Sequence, residues 1–201
     1  MKKIYFVLLV LFLSSELFGN IWTRSGQNFG IEPRLLYAIS KVESNLRPLV
    51  VSVNYKKISK TQRDTLYRVL RQKNIPHNTY TKVIEIDNKN IYQAKEIIAF
   101  LDKNRYPSFD IGLMQVNNIH KQRLNSLGIS LGALLEEETN VKVASEILWQ
   151  CYKKHGTNNK AINAYNGKLV GNPYYGKVSA EFKKLLLPHE NASKRLFYRM
   201  S

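Results

Sequence analysis

Cysteine is almost missing from this chain: Cys151 is the only one in 201 residues. A single thiol cannot close an intramolecular disulfide, and a metal site built on cysteines is excluded. Histidine is nearly as scarce. His77, His120, His155 and His189 are scattered without metal-ligand spacing, so neither a zinc site nor any other metal or cofactor is expected. Acidic residues are the third shortage. Fifteen of them face 31 lysines and arginines, for a net charge of +16. Such an imbalance points to a polyanionic partner or an anionic surface. Nucleic acid, a membrane surface and the bacterial cell wall all qualify. No internal repeat and no low-complexity tract is present, which sets repeat architectures aside.

Only one long hydrophobic run occurs, and it lies at the start. Lys2 and Lys3 precede an apolar stretch from Ile4 to Leu13, followed by Ser14, Ser15 and, further on, Gly19. The run is short and early for a membrane span and suits a secretory signal peptide over 1–19, with small Gly19 before the cleavage point. The alternative is an uncleaved N-terminal membrane anchor. In both cases the rest of the chain is exported, a periplasmic location is expected, and nucleic acid drops out as a partner.

What is present supports a packed domain. Hydrophobic residues make up 44% of the chain, enough for a real core, and the length suggests one domain with a smaller inserted unit. Pro33 to Leu46 reads as a helix, with Leu35, Leu36, Ile39 and Val42 at helical spacing. Residues 47–108 read as an inserted β-α-β-α unit: a strand at Leu49–Val53, a helix over Thr61–Lys73, a strand at Thr81–Ile86 and a helix over Ile91–Asn104. From Ile111 the chain reads as helical again. Short helices over Leu124–Leu135 break at Gly128. A long helix over Thr139–His155 has Thr139 or Asn140 as its cap and Gly156 as its stop. Asn159–Tyr165 and Tyr175–Leu187 complete the set, with Pro188 ending the last helix and a basic tail over 188–201. Cys151 falls in a helical, partly apolar pattern and is expected to be an inert buried thiol. The fold class is α+β, mainly helical.

Glu43 is the sharpest chemical feature. Leu36, Ile39 and Leu46 share its face at spacings of three and four, so its carboxylate points toward the apolar side of the helix. Leaving water disfavours the charged form. A carboxylic acid that keeps its proton near neutral pH can donate it, as glycosidic bond cleavage requires. Taken alone, a solvated glutamate at a helix end is the commoner arrangement.

The remaining motifs change that balance. Glu43-Ser44 is followed by Gly112-Leu113-Met114-Gln115, then Asn117, then Ala164-Tyr165-Asn166-Gly167, and Tyr174 opens a Tyr-Tyr-Gly-Lys-Val segment. In this order they resemble the lysozyme-like lytic transglycosylases, the family of the soluble lytic transglycosylase catalytic domain. Pro33–Asn45 is similar to that family's first helix, and Glu136–Gly156 to its long helix. The resemblance covers 28–46 and 109–180. Two departures stand out. Gly167 follows Asn166 directly, where the family usually has one small residue between them, and the Ser44–Gly112 gap is far longer than in compact members.

The resemblance implies a lysozyme-like domain over 20–201, interrupted by the insertion at 47–108. It implies cleavage of the β-1,4 bond between N-acetylmuramic acid and N-acetylglucosamine in peptidoglycan, with formation of a 1,6-anhydro end and Glu43 as the single acid/base. Ser44 would support the acidic helix end. Gln115, with Gly112 and Met114, would line the glycan groove, although a methionine fills a core just as readily. Asn117 would stabilise the loop or contact substrate. Tyr165 would orient Glu43, Asn166 would shape the cleft, and Tyr174 would pack or bond into the same site. Peptidoglycan strands are the implied partner of a monomer, with conjugation, secretion or pilus machines as further partners. Two other readings stay open. One is a hydrolase in which Asp110 positions water, against a plain turn or cap role for that residue. The other is a non-catalytic wall-binding assembly protein.

Overall fold

The computed structural model describes residues 20–156 and 158–186. The signal peptide or anchor expected over 1–19, the Pro188 helix stop and the tail over 188–201 lie outside the described residues. Contacts divide the chain into two compact units. One joins the residues up to Val42 with those from Val141 on; the other is Glu43–Asn140.

In the first unit, α1 (Asn20–Phe29) and α2 (Pro33–Ser44, whose last two residues belong to the second unit) are joined by a tight turn. Gly26 lets them meet, because a Cβ there would sit 2.5 Å from the Ile31 carbonyl oxygen. Trp22 packs edge-on against Tyr37 at 5.9 Å between centroids. Leu35, Leu36, Ala38 and Ile39 are fully buried, as the helical spacing of apolar residues requires. The unit continues with α6 (Glu137–His155), from Val141 on, then α7 (Asn158–Tyr165) and α8 (Tyr174–Lys184). These bury Val141, Ala144, Leu148, Ala161, Ile162, Val178 and Phe182. Cys151 is half-buried on α6, and burial pushes its thiol up, away from the reactive thiolate.

The second unit is built on a five-stranded antiparallel sheet of order β2-β3-β1-β4-β5. The strands are β1 (Val50–Asn54), β2 (His77–Thr79), β3 (Val83–Asp87), β4 (Phe109–Ile111) and β5 (Val116–Asn117). Helix α3 (Lys60–Gln72) starts at a capping box in which Ser59 and Gln62 satisfy each other's backbone N–H, and it buries Leu66 and Leu70. Helix α4 (Ile91–Lys103) is capped by Asn90 and buries Ala94, Ile97, Ile98 and Leu101 at helical spacing. Helix α5 (Lys121–Ser126) and a 3-10 turn at Leu131–Leu135 follow, close to the short helices expected there. The mainly helical α+β class and the strand and helix order expected within 47–108 are present, with β2 as an additional strand.

Alternation sorts the sheet into two faces. Val51, Val53, Ile84, Ile86, Phe109 and Ile111 share the buried face. On the other face the register aligns Asn78, Glu85, Ser52, Asp110 and Asn117 directly across all five strands.

Three expectations are corrected. Residues from Ile111 do not resume as helix: β4 and β5 form a hairpin whose turn is Gly112–Gln115, so the sheet runs past residue 108. Three- and two-residue strands are too short for alternation to show in sequence. Helix α2 stops at Ser44, and Leu46 leaves the face of Glu43 because Asn45 and Leu46 take positive φ, 55° and 62°. Helix α6 starts at Glu137, so Thr139 and Asn140 lie within it, not at its cap.

Candidate functional site

Glu43 occupies the last turn of α2 and is half-buried. The stripe that precedes it, Leu36, Ile39 and Ser40, is fully buried. Ser44 is buried too, and its hydroxyl donates to the Leu113 carbonyl at 2.7 Å across 69 residues of chain. That bond ties the Glu43 end of the helix to the Gly112–Gln115 turn. Arg47 fastens the same helix end from the other side. Its Nε donates to the Ser44 carbonyl at 2.9 Å, and its guanidinium bonds Glu85 at 2.8 Å and pairs with Asp87 at 3.5 Å. Burial pulls the Arg47 guanidinium down, but the Glu85 hydrogen bond and the Glu85 and Asp87 charges outweigh it, so its pKa stands above the ordinary arginine value. The chain needs such fastening, because a non-glycine residue such as Leu46 held at positive φ costs about 1–3 kcal/mol.

The Gly112–Gln115 turn is held from beneath by Asn140. The buried Asn140 side chain accepts from Met114 N–H at 2.8 Å and donates to the Ile111 and Leu134 carbonyls, each at 2.8 Å. Gly112 has φ +78°, and a Cβ there would lie 2.4 Å from Asn140 Nδ2 and 2.5 Å from the Leu134 oxygen. No side chain fits, which explains the glycine of the motif. Gln115, at φ 49°, donates from Nε2 to the Gly112 oxygen at 2.8 Å and the Val50 oxygen at 3.3 Å. Its side-chain amide is thereby oriented by the turn that carries it. Met114 is 0% exposed. It fills the core and presents no surface, which removes it from the residues that could line a groove.

Asn117 serves the loop. Its amide donates to Asp110 Oδ1 at 2.7 Å and to Ser108 Oγ at 3.2 Å, while its oxygen accepts from Ile119 N–H at 3.0 Å. Asp110 is neither a turn nor a cap residue: it is paired in β4 between Ser52 and Asn117. Burial raises its carboxyl to about 6, against the opposing Asn117 hydrogen bond and the Lys57 charge. An acid raised in this way binds its proton more tightly folded than unfolded. It favours folding below the ordinary carboxylate range, and the contribution is lost as pH rises through about 6. Asp110→Asn keeps the acceptor for Asn117. It should match wild type near pH 4 and exceed it at pH 7.5 by on the order of 2 kcal/mol. Urea unfolding at the two pH values checks this, and a gain independent of pH would contradict it.

Tyr165, Asn166 and Tyr174 belong to the first unit. Tyr165 is half-buried at the end of α7, and Tyr174 is buried at the start of α8. The loop between them is clamped by two asparagines that spacing alone does not single out. The Asn172 amide donates to the Lys168 oxygen at 2.9 Å, the Asn163 oxygen at 3.4 Å and Asn166 Oδ1 at 3.3 Å, and Asn172 Oδ1 accepts from Tyr174 N–H at 3.1 Å. Buried Asn163 accepts from Tyr175 N–H at 2.9 Å. Gly167, at φ +80°, supplies the reversal after Asn166. Asn166 is therefore part of the loop clamp. Among the described residues, no group of three His, Cys, Asp or Glu side chains is placed to hold a metal ion.

Comparison with known proteins gives the frame for these residues. The Transglycosylase SLT domain family matches residues 20–170. The chain belongs to this family. The SLT domain therefore takes in Glu43, Ser44, the Gly112–Gln115 turn, Asn117, Tyr165 and Asn166, while Tyr174 lies just beyond the matched range. The chain is similar to the invasion protein IagB of Salmonella typhimurium strain SL1344 and to its counterpart in Salmonella typhi. Identity to each is 26% over 202 residues, covering 96% of this chain and 95% of the relative. It is also similar to a peptidoglycan-binding-like protein of Escherichia coli O157:H7, at 27% over 158 residues, covering 77% of this chain and 65% of that protein. No solved structure matches. Sequence reasoning missed Arg47, Asn140, Asn163 and Asn172, whose roles rest on partners that no local motif announces.

Proposed function

We propose that this SLT-domain protein is a peptidoglycan lytic transglycosylase with Glu43 as its sole acid/base. The observation that carries the reading is the seating of Glu43. It is half-buried at a helix end, one residue from a serine bonded into the Gly-Leu-Met-Gln turn of the family motif.

In this reading Glu43 protonates the oxygen that joins N-acetylmuramic acid to N-acetylglucosamine. As that bond breaks, the acetamido oxygen of the muramic residue closes on C1 and spreads its positive charge. Glu43, now a carboxylate, takes the proton from the C6 hydroxyl. The C6 oxygen then displaces the acetamido oxygen from C1 and leaves a 1,6-anhydro ring. The proton lent in the first step returns in the second, and no water is consumed. Gln115 supports substrate binding: its amide nitrogen is spent on backbone carbonyls, which turns its oxygen into an oriented acceptor for a sugar hydroxyl or amide. Tyr165, Asn166 and Tyr174 enter this reading through the family resemblance alone.

A second reading is favoured by one observation. Asp110, raised to about 6 and bonded to Asn117, has the chemistry of a general base that could position water. The products separate the two. Mass spectrometry of purified wall after digestion should show anhydro-muramic ends; reducing ends that vanish in Asp110→Asn would establish a hydrolase instead.

Export to the periplasm and action beside an envelope-spanning machine form part of the same proposal. The N-terminal apolar run supports export, and the machine enters through the family resemblance alone. The net charge of +16 suits attraction to an anionic wall polymer, with salt sensitivity as its signature.

A further inference from the structure

The insertion at 47–108 separates two family motifs that compact members hold closer together. Its ends and its middle strand touch the candidate site by different routes. Arg47, its first residue, lies four positions after Glu43. Its Nε donates to the carbonyl of Ser44, the last residue of α2, and its terminal nitrogens bind Glu85 at 2.8 Å and Asp87 at 3.5 Å. Both acids lie on β3, inside the insertion. Glu85 is 17% exposed and Arg47 36%, so the pair is only partly screened by water. Glu85 also stands in register with Ser52, and Ser52 with Asp110. The acid that holds Arg47 is thus on the same sheet face as Asp110, two strands away, and Asn117, three strands away, at about 4.8 Å per strand.

We propose that Arg47 and Glu85 form a positioning pair, and that through it the inserted unit fixes the chain that carries Glu43. The insertion is then part of the catalytic framework. The proposal rests on the assignment of Glu43 as the acid/base. Neither Arg47 nor Glu85 takes part in proton transfer. A guanidinium is needed at 47 because one planar fork serves a carbonyl and a carboxylate at once; a lysine ammonium carries the charge without that geometry. The Ser44–Leu113 bond anchors the helix end at one point, and Arg47–Glu85 supplies the second.

The test compares Arg47→Lys, Arg47→Met and Glu85→Gln with wild type. Cleavage of purified wall gives kcat and KM, and carbon-13 NMR follows the Glu43 carboxyl signal through a pH titration. Misplacing a catalytic group by about 1 Å costs on the order of a hundredfold. Measured below their melting transitions, both Arg47 variants should lose about 10- to 100-fold in kcat, with KM within about threefold. Their Glu43 signal should shift in position and titration midpoint. Glu85→Gln, which keeps an acceptor oxygen, should lose less. Unchanged kcat and an unmoved Glu43 signal in Arg47→Met would overturn the proposal. So would a loss of activity that follows melting temperature while the Glu43 signal stays put. Should wild type release no anhydro ends, the transglycosylase reading fails by itself, and the carboxyl titration still decides whether Arg47 positions Glu43.

Discussion

Glu43→Gln should cut the release of anhydro-ended fragments by about a hundredfold to ten-thousandfold, the range that general acid/base groups supply. Glutamine keeps the shape of the side chain and can still hydrogen-bond. It has no acidic proton to give the glycosidic oxygen and no carboxylate to take one from the C6 hydroxyl. In the proposed mechanism one group serves both half-steps, so both fail together. Binding to the wall should persist, since the surplus of lysine and arginine is untouched. Initial rates of fragment release, with sedimentation on insoluble wall as the binding control, give the answer. A variant within tenfold of wild type would remove Glu43 from the chemistry, and wall binding without cleavage in wild type itself would favour a non-catalytic role.

Asn140→Ala should cost about 3–5 kcal/mol of stability. The side chain serves one backbone donor, Met114 N–H, and two backbone acceptors, the Ile111 and Leu134 oxygens. Its own exposure is 1%, so water does not replace it. Each buried polar group left without a partner costs about 1–3 kcal/mol, and relaxation of the turn recovers part of the sum. For a chain of this size the melting temperature should fall by roughly 6–20 °C. Activity below the transition should fall as well, because the same bonds hold the turn that receives Ser44. Asn140→Asp can keep the acceptor for Met114 but loses both donors when ionised, so it should be no better near neutral pH. Calorimetry on the two variants checks this, and a shift under 2 °C for Asn140→Ala would show that the turn is held by other means.

Much of the fold was legible because its signals are periodic. Leu66 and Leu70, or Ala94, Ile97, Ile98 and Leu101, declare a helix by spacing alone. Alternation at Val83–Asp87 does the same for a strand. The β4–β5 hairpin escaped because its strands have three and two residues, and because Gly112 and Gln115 bend the chain through positive φ. Helical motifs on both sides of the Gly-Leu-Met-Gln segment then suggested helix where there is a turn. Threonine and asparagine are favoured cap residues, so spacing offers Thr139 or Asn140 as the cap of the long helix. The true partners of Asn140 lie up to 29 residues away, beyond any local rule. Met114, for which the motif offers a groove wall and its side chain a core position, is buried within the turn together with Leu113.

The sequence by itself determined the sign of the charge, the order of the longer helices, and the membership in the SLT-domain family. Those properties depend on composition and on neighbours a few positions apart. Only the tertiary structure decided which polar groups meet. It bonded Ser44 to Leu113 across 69 residues, set Asn140 under the turn, and brought Glu85 on β3 to Arg47. The physical reason is that a buried donor or acceptor must find a partner somewhere. Which partner is near depends on the path of the whole chain, and no short stretch of sequence encodes that path.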